Sequence, residues 1–249
     1  MSIPSIEIPV PWLTTEQMVE IDRAMIEDFN IELVQMMENA GRNLADLARE
    51  RFLGGDPRAK MVLVMAGTGG NGGGALVCAR RLHAWGARVE VFITRRGRDV
   101  QPVPAHQLDI LRRMGVPVAP AEAVGRAPTA ALVVDGVIGY SLAGAPRGDA
   151  GDLIRWANAQ DAPVLALDAP SGIDTSTGTI FEPAIRATAT MTLALPKEGL
   201  GAAGVADHVG ELYLADIGVP PSLYAGPALG LEVGSVFATG EIIRLDVGG

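Results

Sequence analysis

Three features of this 249-residue chain predict an α/β fold, a single domain with a mainly parallel sheet behind an N-terminal pair of helices. From Lys60 onward, short apolar runs alternate with helical stretches, which is the grammar of βαβ units. The first such run, Met61 to Met65, breaks into a glycine-rich stretch, Gly67 to Gly74, before Leu76, Ala79 and Leu82 resume helical spacing. Two later runs each deliver an aspartate into a turn, Asp135 and Asp168.

Thr14 and Gln17 have the spacing of a capping box, and Met18, Ile21 and Met25 continue it as an amphipathic helix. After Asn30, read as a cap, Leu33, Met37, Ala40, Leu44 and Leu47 mark a longer helix that ends near Gly54-Gly55-Asp56-Pro57. Residues 1–56 are therefore read as a helical lead-in and 57–249 as the sheet-bearing core of one domain. Met25, Met36 and Met37 read as packing filler or a subunit contact rather than a ligand site. Arg88 to Thr94 is the second strand, and a helix from about Pro104 to Met114 stops at Gly115. Strands are expected at Val116 to Ala119, Ala131 to Val134 and Pro163 to Leu167, with a helix marked by Leu153, Ile154, Trp156 and Ala157. Ala187 to Leu195, Gly210 to Ile217 and Ser235 to Leu245 are β-like with little helical signal between them, which points to antiparallel pairing at the sheet edge.

A formal net charge of -9 with 20 Lys and Arg argues against a nucleic-acid or anionic-membrane surface, since both need a concentrated positive field. Any bound phosphate must be held mainly by backbone donors. The one cysteine, Cys78, falls on an apolar helix face and reads as a small buried hydrophobe, which suits a reducing, cytoplasmic setting. Pro4, Pro9 and Pro11 interrupt the opening segment, so neither a secretion signal nor a membrane span is expected there.

Gly67, Gly69 and Gly72 satisfy G-x-G-x-x-G between a strand and a helix, the setting in which backbone N–H groups and a helix N-terminus cradle phosphate. Glycine is wanted at such a turn because it adopts positive φ and lets the backbone approach an anion closely. In an open parallel sheet, ligands bind beyond the carboxyl ends of the strands. If the relevant strands are neighbours, Asn71, Asp135, Asp168 and Ser171 converge on one cleft. An oxygen-only set suits a hard cation, and the absence of nearby Cys or His argues against zinc. One carboxylate could instead serve as acid or base, or each could simply cap its turn. His83, His106 and His208 share no short spacing and read as surface or packing residues, with His208 able to border the cleft.

Several ordered segments make the chain resemble the NAD(P)H-hydrate epimerases, the YjeF N-terminal domain family. They are Met36-Met37-Glu38-Asn39-Ala40-Gly41, Gly67 to Ala75, Asp135-Gly136-Val137-Ile138-Gly139, Leu167-Asp168-Ala169-Pro170-Ser171-Gly172-Ile173-Asp174, Leu195-Pro196-Lys197-Glu198-Gly199 and Ala215-Asp216-Ile217-Gly218-Val219-Pro220. The resemblance implies a three-layer α/β/α Rossmann-like sheet, often dimeric, that interconverts the R and S hydrates of NADH and NADPH. It implies potassium as cofactor, held by Asn71, Asp135 and Ser171, and Asp168 as candidate acid/base. Nucleotide contacts are implied for Gly70, Asn71, Gly72, Gly73 and Gly74, for Gly139, Tyr140, Ser141, Leu142, Ala143, Gly144 and Ala145, and for Asp168. A homodimer and a separate NAD(P)H-hydrate dehydratase as functional partner are implied as well, the chain looking like the standalone form.

The sequence departs from the family at the glycine stretch. Gly70 and Gly74 stand where the family usually has an asparagine and an aspartate, and Ala75 replaces a glycine. A binding protein that has lost turnover is therefore an alternative. Thr94-Arg95-Arg96, where an NAD-binding domain would carry an acidic residue, keeps a third reading open, an NADP-linked oxidoreductase.

Overall fold

The computed structural model describes residues 3–6, 10–94 and 100–246; Arg95 and Arg96 lie outside them. Nine described strands form one sheet: β1 (Ser5–Ile6), β2 (Met61–Ala66), β3 (Arg88–Ile93), β4 (Val118–Pro120), β5 (Leu132–Gly136), β6 (Val164–Leu167), β7 (Ala189–Leu193), β8 (Glu211–Ala215) and β9 (Ile242–Leu245). Their spatial order is β1-β9-β8-β7-β6-β5-β2-β3-β4. The chain runs outward from β2 to β3 and β4, then crosses back to β5 and continues in the other direction. The order therefore reverses between β2 and β5, and a crevice opens beyond their carboxyl ends.

Alternation along the strands builds three layers. Val62, Val64 and Ala66 pack with α2 (Leu33–Leu47) and α3 (Gly70–Ala84) on one face, where Leu44, Leu76 and Leu82 are fully buried. Leu63 and Met65 point the other way and pack with Leu153 and Ile154. Those two residues belong to α5 (Gly148–Asn158). Buried on both faces, the central strands need continuous apolar sequence, which is why β5 reads Leu-Val-Val before its aspartate. A third apolar cluster, with Met18, Ile21 and Met25, seats α1 (Thr15–Glu27) against the exits of the later strands.

Several expectations need correction. The lead-in is not wholly helical: β1 pairs in parallel with β9 at the far edge of the sheet. Helix α2 is capped at Glu32, whose N–H donates to the Gln35 side chain at 2.7 Å, and not by Asn30, which adopts φ 53° outside the helix. Helix α4 (Pro102–Arg113), which follows β3, begins earlier than Pro104 because prolines are tolerated in a first helical turn. β7 and β8 pair in parallel, and only β8 with β9 is antiparallel. Their connection crosses through short helical turns that carry no strong sequence periodicity. Of Ser235 to Leu245 only β9 is strand, since Val236–Thr239 forms a 3-10 turn.

Candidate active site

The strand register explains why the glycine stretch and the two aspartates meet. Met65 lies opposite Asp135 and Ala66 opposite Gly136, while Asp135 lies opposite Ala166, two residues before Asp168. Three turns thus leave one edge of the sheet side by side.

Helix α3 starts at Gly70, so Gly70 to Gly74 are its first turns and not a loop. None of the glycines from Gly67 to Gly74 has positive φ. The reason for glycine at Gly67 is close approach: a Cβ there would overlap the Val137 carbonyl, and the Gly67 N–H donates to Gly136 O at 3.0 Å. Gly139 is constrained in the same way. A Cβ there would come within 3.1 Å of Asp168 Oδ2 and 3.2 Å of Asn71 Cγ, which also shows how tightly these three residues gather.

Asp135 is fully buried. Its carboxylate accepts the Ser171 hydroxyl at 2.7 Å, the Ser171 N–H at 2.8 Å and the Val137 N–H at 3.2 Å. Burial pushes its pKa up to about 6 against these hydrogen bonds, and no ion pair to it exists among the described residues. The Ser171 hydroxyl in turn accepts the Ile138 N–H at 2.8 Å. Both side-chain atoms of Asn71 are buried without a hydrogen-bond partner.

Asp168 sits in a backbone conformation that side chains rarely adopt, with φ 66°. The Ala169 N–H donates to Leu167 O at 2.8 Å, closing a three-residue turn around it. The same device ends β7: Ala194 has φ 63° and the Leu195 N–H donates to Leu193 O. The second turn delivers Lys197, whose ammonium donates to Asp168 Oδ1 at 2.5 Å, Leu193 O at 2.9 Å and Thr192 Oγ1 at 3.1 Å. Lys197 is completely buried, and this donor count satisfies it fully. Asp168 Oδ2 accepts the Tyr140 N–H at 3.1 Å. The Tyr140 hydroxyl reaches α1, donating to Asp22 Oδ2 at 2.6 Å.

Two clefts meet over this floor. The polar one, about 590 Å³, is lined by Gly67 to Asn71, Thr94, Val137 to Gly139, Ser141 and Arg147 to Ala150. The more apolar one, about 420 Å³, has Met18, Met36, Met37 and Leu167 in its walls together with Asp22, Tyr140 and Asp168. Gly69, Gly70, Asn71, Gly139 and Ser141 belong to both. A helix N-terminus faces the polar side, where it favours anionic groups.

Of the anticipated contacts, Gly70, Asn71, Gly74, Gly139, Tyr140, Ser141 and Asp168 line the clefts. Gly72 and Gly73 pack inward on Gly67 and Met37, and Leu142 to Ala145 line neither cleft. His208 does not border the site; its carbonyl accepts the Ala187 N–H ahead of β7, at the opposite end of the sheet. Cys78 is fully buried, and burial drives its thiol pKa upward, away from nucleophilic use. Met36 and Met37 do more than fill space, since both face the apolar cleft. Lys197, Asp22 and Arg147 were missed as site residues. The signal for Asp22 was available, because it follows Ile21 on the inner face of α1.

The chain is 40% identical over 237 residues to an NAD(P)H-hydrate epimerase of Dehalogenimonas lykanthroporepellens, covering 94% of this chain and 92% of that one. A Rhodopirellula baltica protein of the same name is 34% identical over 87% of this chain and 88% of its own. A bifunctional NAD(P)H-hydrate repair enzyme of Moorella thermoacetica is 36% identical over 86% of this chain, which spans 41% of its length. The fold matches the crystal structure of yeast ynu0 (YNL200c) with a TM-score of 0.78 at 24% identity, over 95% of this chain and 100% of that one. Residues 33–199 match the model of the YjeF-related protein N-terminus, and the chain belongs to that family.

Proposed function

We propose that this chain is an NAD(P)H-hydrate epimerase, an isomerase that interconverts the R and S hydrates of NADH and NADPH. The observation that carries the reading is Asp168, held in a strained turn between Lys197 and Tyr140 where a polar and an apolar cleft join. The polar cleft suits the pyrophosphate, which the N-terminus of α3 attracts, and the apolar cleft suits the reduced nicotinamide ring. Asp168 lines the apolar side, where a carboxylate can accept a proton from the hydrated carbon's hydroxyl or from a water. Feeding the purified chain one NADHX epimer and following the other by chromatography tests this. Conversion faster than the uncatalysed rate supports it; conversion at that rate contradicts it.

Potassium fits the residues present. Asp135 is a buried carboxylate with no ion pair among the described residues, and Asn71 Oδ1 is a buried oxygen without a partner beside the same turn. Asn71, Asp135 and Ser171 would hold the ion, which would supply positive charge near the pyrophosphate. The reading includes a homodimer, for which exposed Val19 and Ile26 offer an apolar face, and a separate dehydratase as functional partner. It also includes a cytoplasmic location, which the single buried cysteine suits; no described helix is long and apolar enough to cross a membrane.

The family's missing aspartate does not empty the site. A side chain at Gly74 would start between Leu167 Cδ2, 2.8 Å away, and Ala40 Cβ, 3.7 Å away, so its absence widens the apolar cleft and leaves Asp168 in place.

A further inference from the structure

We propose that Tyr140 and Asp22 form the proton-donating half of this site, Tyr140 touching the substrate and Asp22 acting through it; this rests on the epimerase reading above. Epimerisation at a hemiaminal carbon by loss and return of water needs two proton movements. The C–O bond breaks with its electron pair leaving on oxygen, so the departing hydroxyl must receive a proton while the ring nitrogen's lone pair forms a C=N bond. A water then adds to the opposite face and gives up a proton.

Asp168 is arranged for the second movement, because it lines the apolar cleft and each of its oxygens keeps a lone pair beyond its single N–H donor. Lys197 does not serve the first. It is wholly buried, and its three donors are taken by Asp168, Thr192 and Leu193. Among the residues lining the apolar cleft, Asp22 is the other carboxyl group, and the Tyr140 hydroxyl lies 2.6 Å from it. Their elements are fixed together. The Leu13 N–H donates to Pro196 O at 2.7 Å, Thr15 Oγ1 lies 2.5 Å from Ser176 Oγ, and the Thr175 hydroxyl donates to Tyr140 O at 3.2 Å.

The groups facing Asp22 are Tyr140 from the turn after β5, Asp168 after β6 and Lys197 after β7. On its own helix, Arg23 is occupied by Glu20, Glu27 and Asp28. Burial raises the Asp22 pKa and the Asp168 charge adds to it, while the Tyr140 hydrogen bond and Lys197 oppose. In the step proposed, Asp22 has taken a proton from solvent and the 2.6 Å hydrogen bond reverses, so that Asp22 donates to Tyr140 Oη; the Asp22 proton then moves to Tyr140 Oη as the Tyr140 proton moves to the departing hydroxyl, which leaves as water. The returning water gives its proton to Asp168, and exchange with solvent carries one back to Asp22. No proton is consumed over the cycle.

The test measures conversion of one NADHX epimer from about pH 5 to 9 by the wild-type chain and by Tyr140→Phe, Asp22→Asn and Asp22→Glu. The wild-type rate should fall as pH rises through the ionisation of Asp22. Tyr140→Phe and Asp22→Asn should lose at least about tenfold in kcat with KM within about twofold, and should lose that limb of the profile. Asp22→Glu should restore the limb. An Asp22→Asn chain with the wild-type rate and profile overturns the proposal. Carboxyl carbon-13 NMR provides a readout independent of turnover: Asp22 should titrate above the ordinary aspartate range, and higher still in Tyr140→Phe, which lacks the opposing hydrogen bond. A wild-type chain without turnover removes the epimerase reading. An Asp22 that titrates normally, or that ignores Tyr140→Phe, removes the pair itself.

Discussion

The Lys197 ammonium lies 2.5 Å from Asp168 Oδ1, at 0% and 6% side-chain exposure, although 29 residues separate the two in sequence. Two successive strands, β6 and β7, each end in a three-residue turn with positive φ, and the pair forms where those turns face each other. Removing one partner leaves a buried charge without its counter-charge. Lys197→Met should therefore cost about 3–5 kcal/mol of stability, measured by urea unfolding. The double variant Lys197→Met/Asp168→Asn should recover much of that loss and stay inactive, because it removes both charges together.

Gly41 fixes how closely α2 approaches α3. A Cβ at Gly41 would overlap the Gly74 carbonyl and the Val77 side chain, and a backbone oxygen cannot rotate away as a side chain can. Gly41→Ala should lower stability by about 1–3 kcal/mol despite the better helix propensity of alanine. The same strain displaces the first turn of α3, so nucleotide affinity should fall with it. Thermal unfolding and nucleotide titration of the same sample check both effects.

Glu211 joins β8 to the turn after α2 through a two-pronged contact with Arg51, at 2.8 and 2.9 Å. That guanidinium holds the Glu211 carboxyl at a pKa of about 2, with the Tyr213 hydroxyl helping. A depressed folded-state pKa adds stability that is full above the unfolded value near 4.5 and is lost as pH falls through about 2. Discounted for solvent exposure, Glu211→Gln should cost about 1 kcal/mol at pH 7. The difference between variant and wild type should close on acidification, as acid-range unfolding curves would record.

Much of this arrangement was legible in the residues because local rules and the fold agree. Thr14 and Gln17 form the capping box that their spacing predicts. The apolar runs ending in Asp135 and Asp168 are central strands, since burial on both faces demands such runs. What stayed hidden depends on contacts between distant segments. No spacing rule pairs Lys197 with Asp168, or Asp22 with Tyr140 across 118 positions. The role of the glycines was misjudged for a related reason. Their backbone is ordinary, and the crowding that requires them comes from Val137 and Met37, which only the tertiary fold brings close.

The Asn71 amide, buried without a hydrogen-bond partner, and the Asp135 carboxylate, buried without an ion pair among the described residues, should respond to a cation. Adding potassium should raise the unfolding temperature, with the stabilisation growing as the logarithm of ion concentration above its dissociation constant. Asn71→Ala should abolish most of the rise. Thermal scans in potassium and in an equal concentration of tetramethylammonium separate this from general ionic strength.

Asp168→Asn tests the central claim most directly. Asparagine tolerates the positive φ at this position, and its Oδ1 still accepts from Lys197, so the variant loses the proton acceptor at the cost of an uncompensated Lys197 charge; circular dichroism at the assay temperature identifies the folded chain. With a single NADHX epimer at saturating concentration, the variant should convert it at least about 100-fold more slowly than wild type, once the spontaneous rate is subtracted. A folded Asp168→Asn chain that epimerises at the wild-type rate would contradict the account.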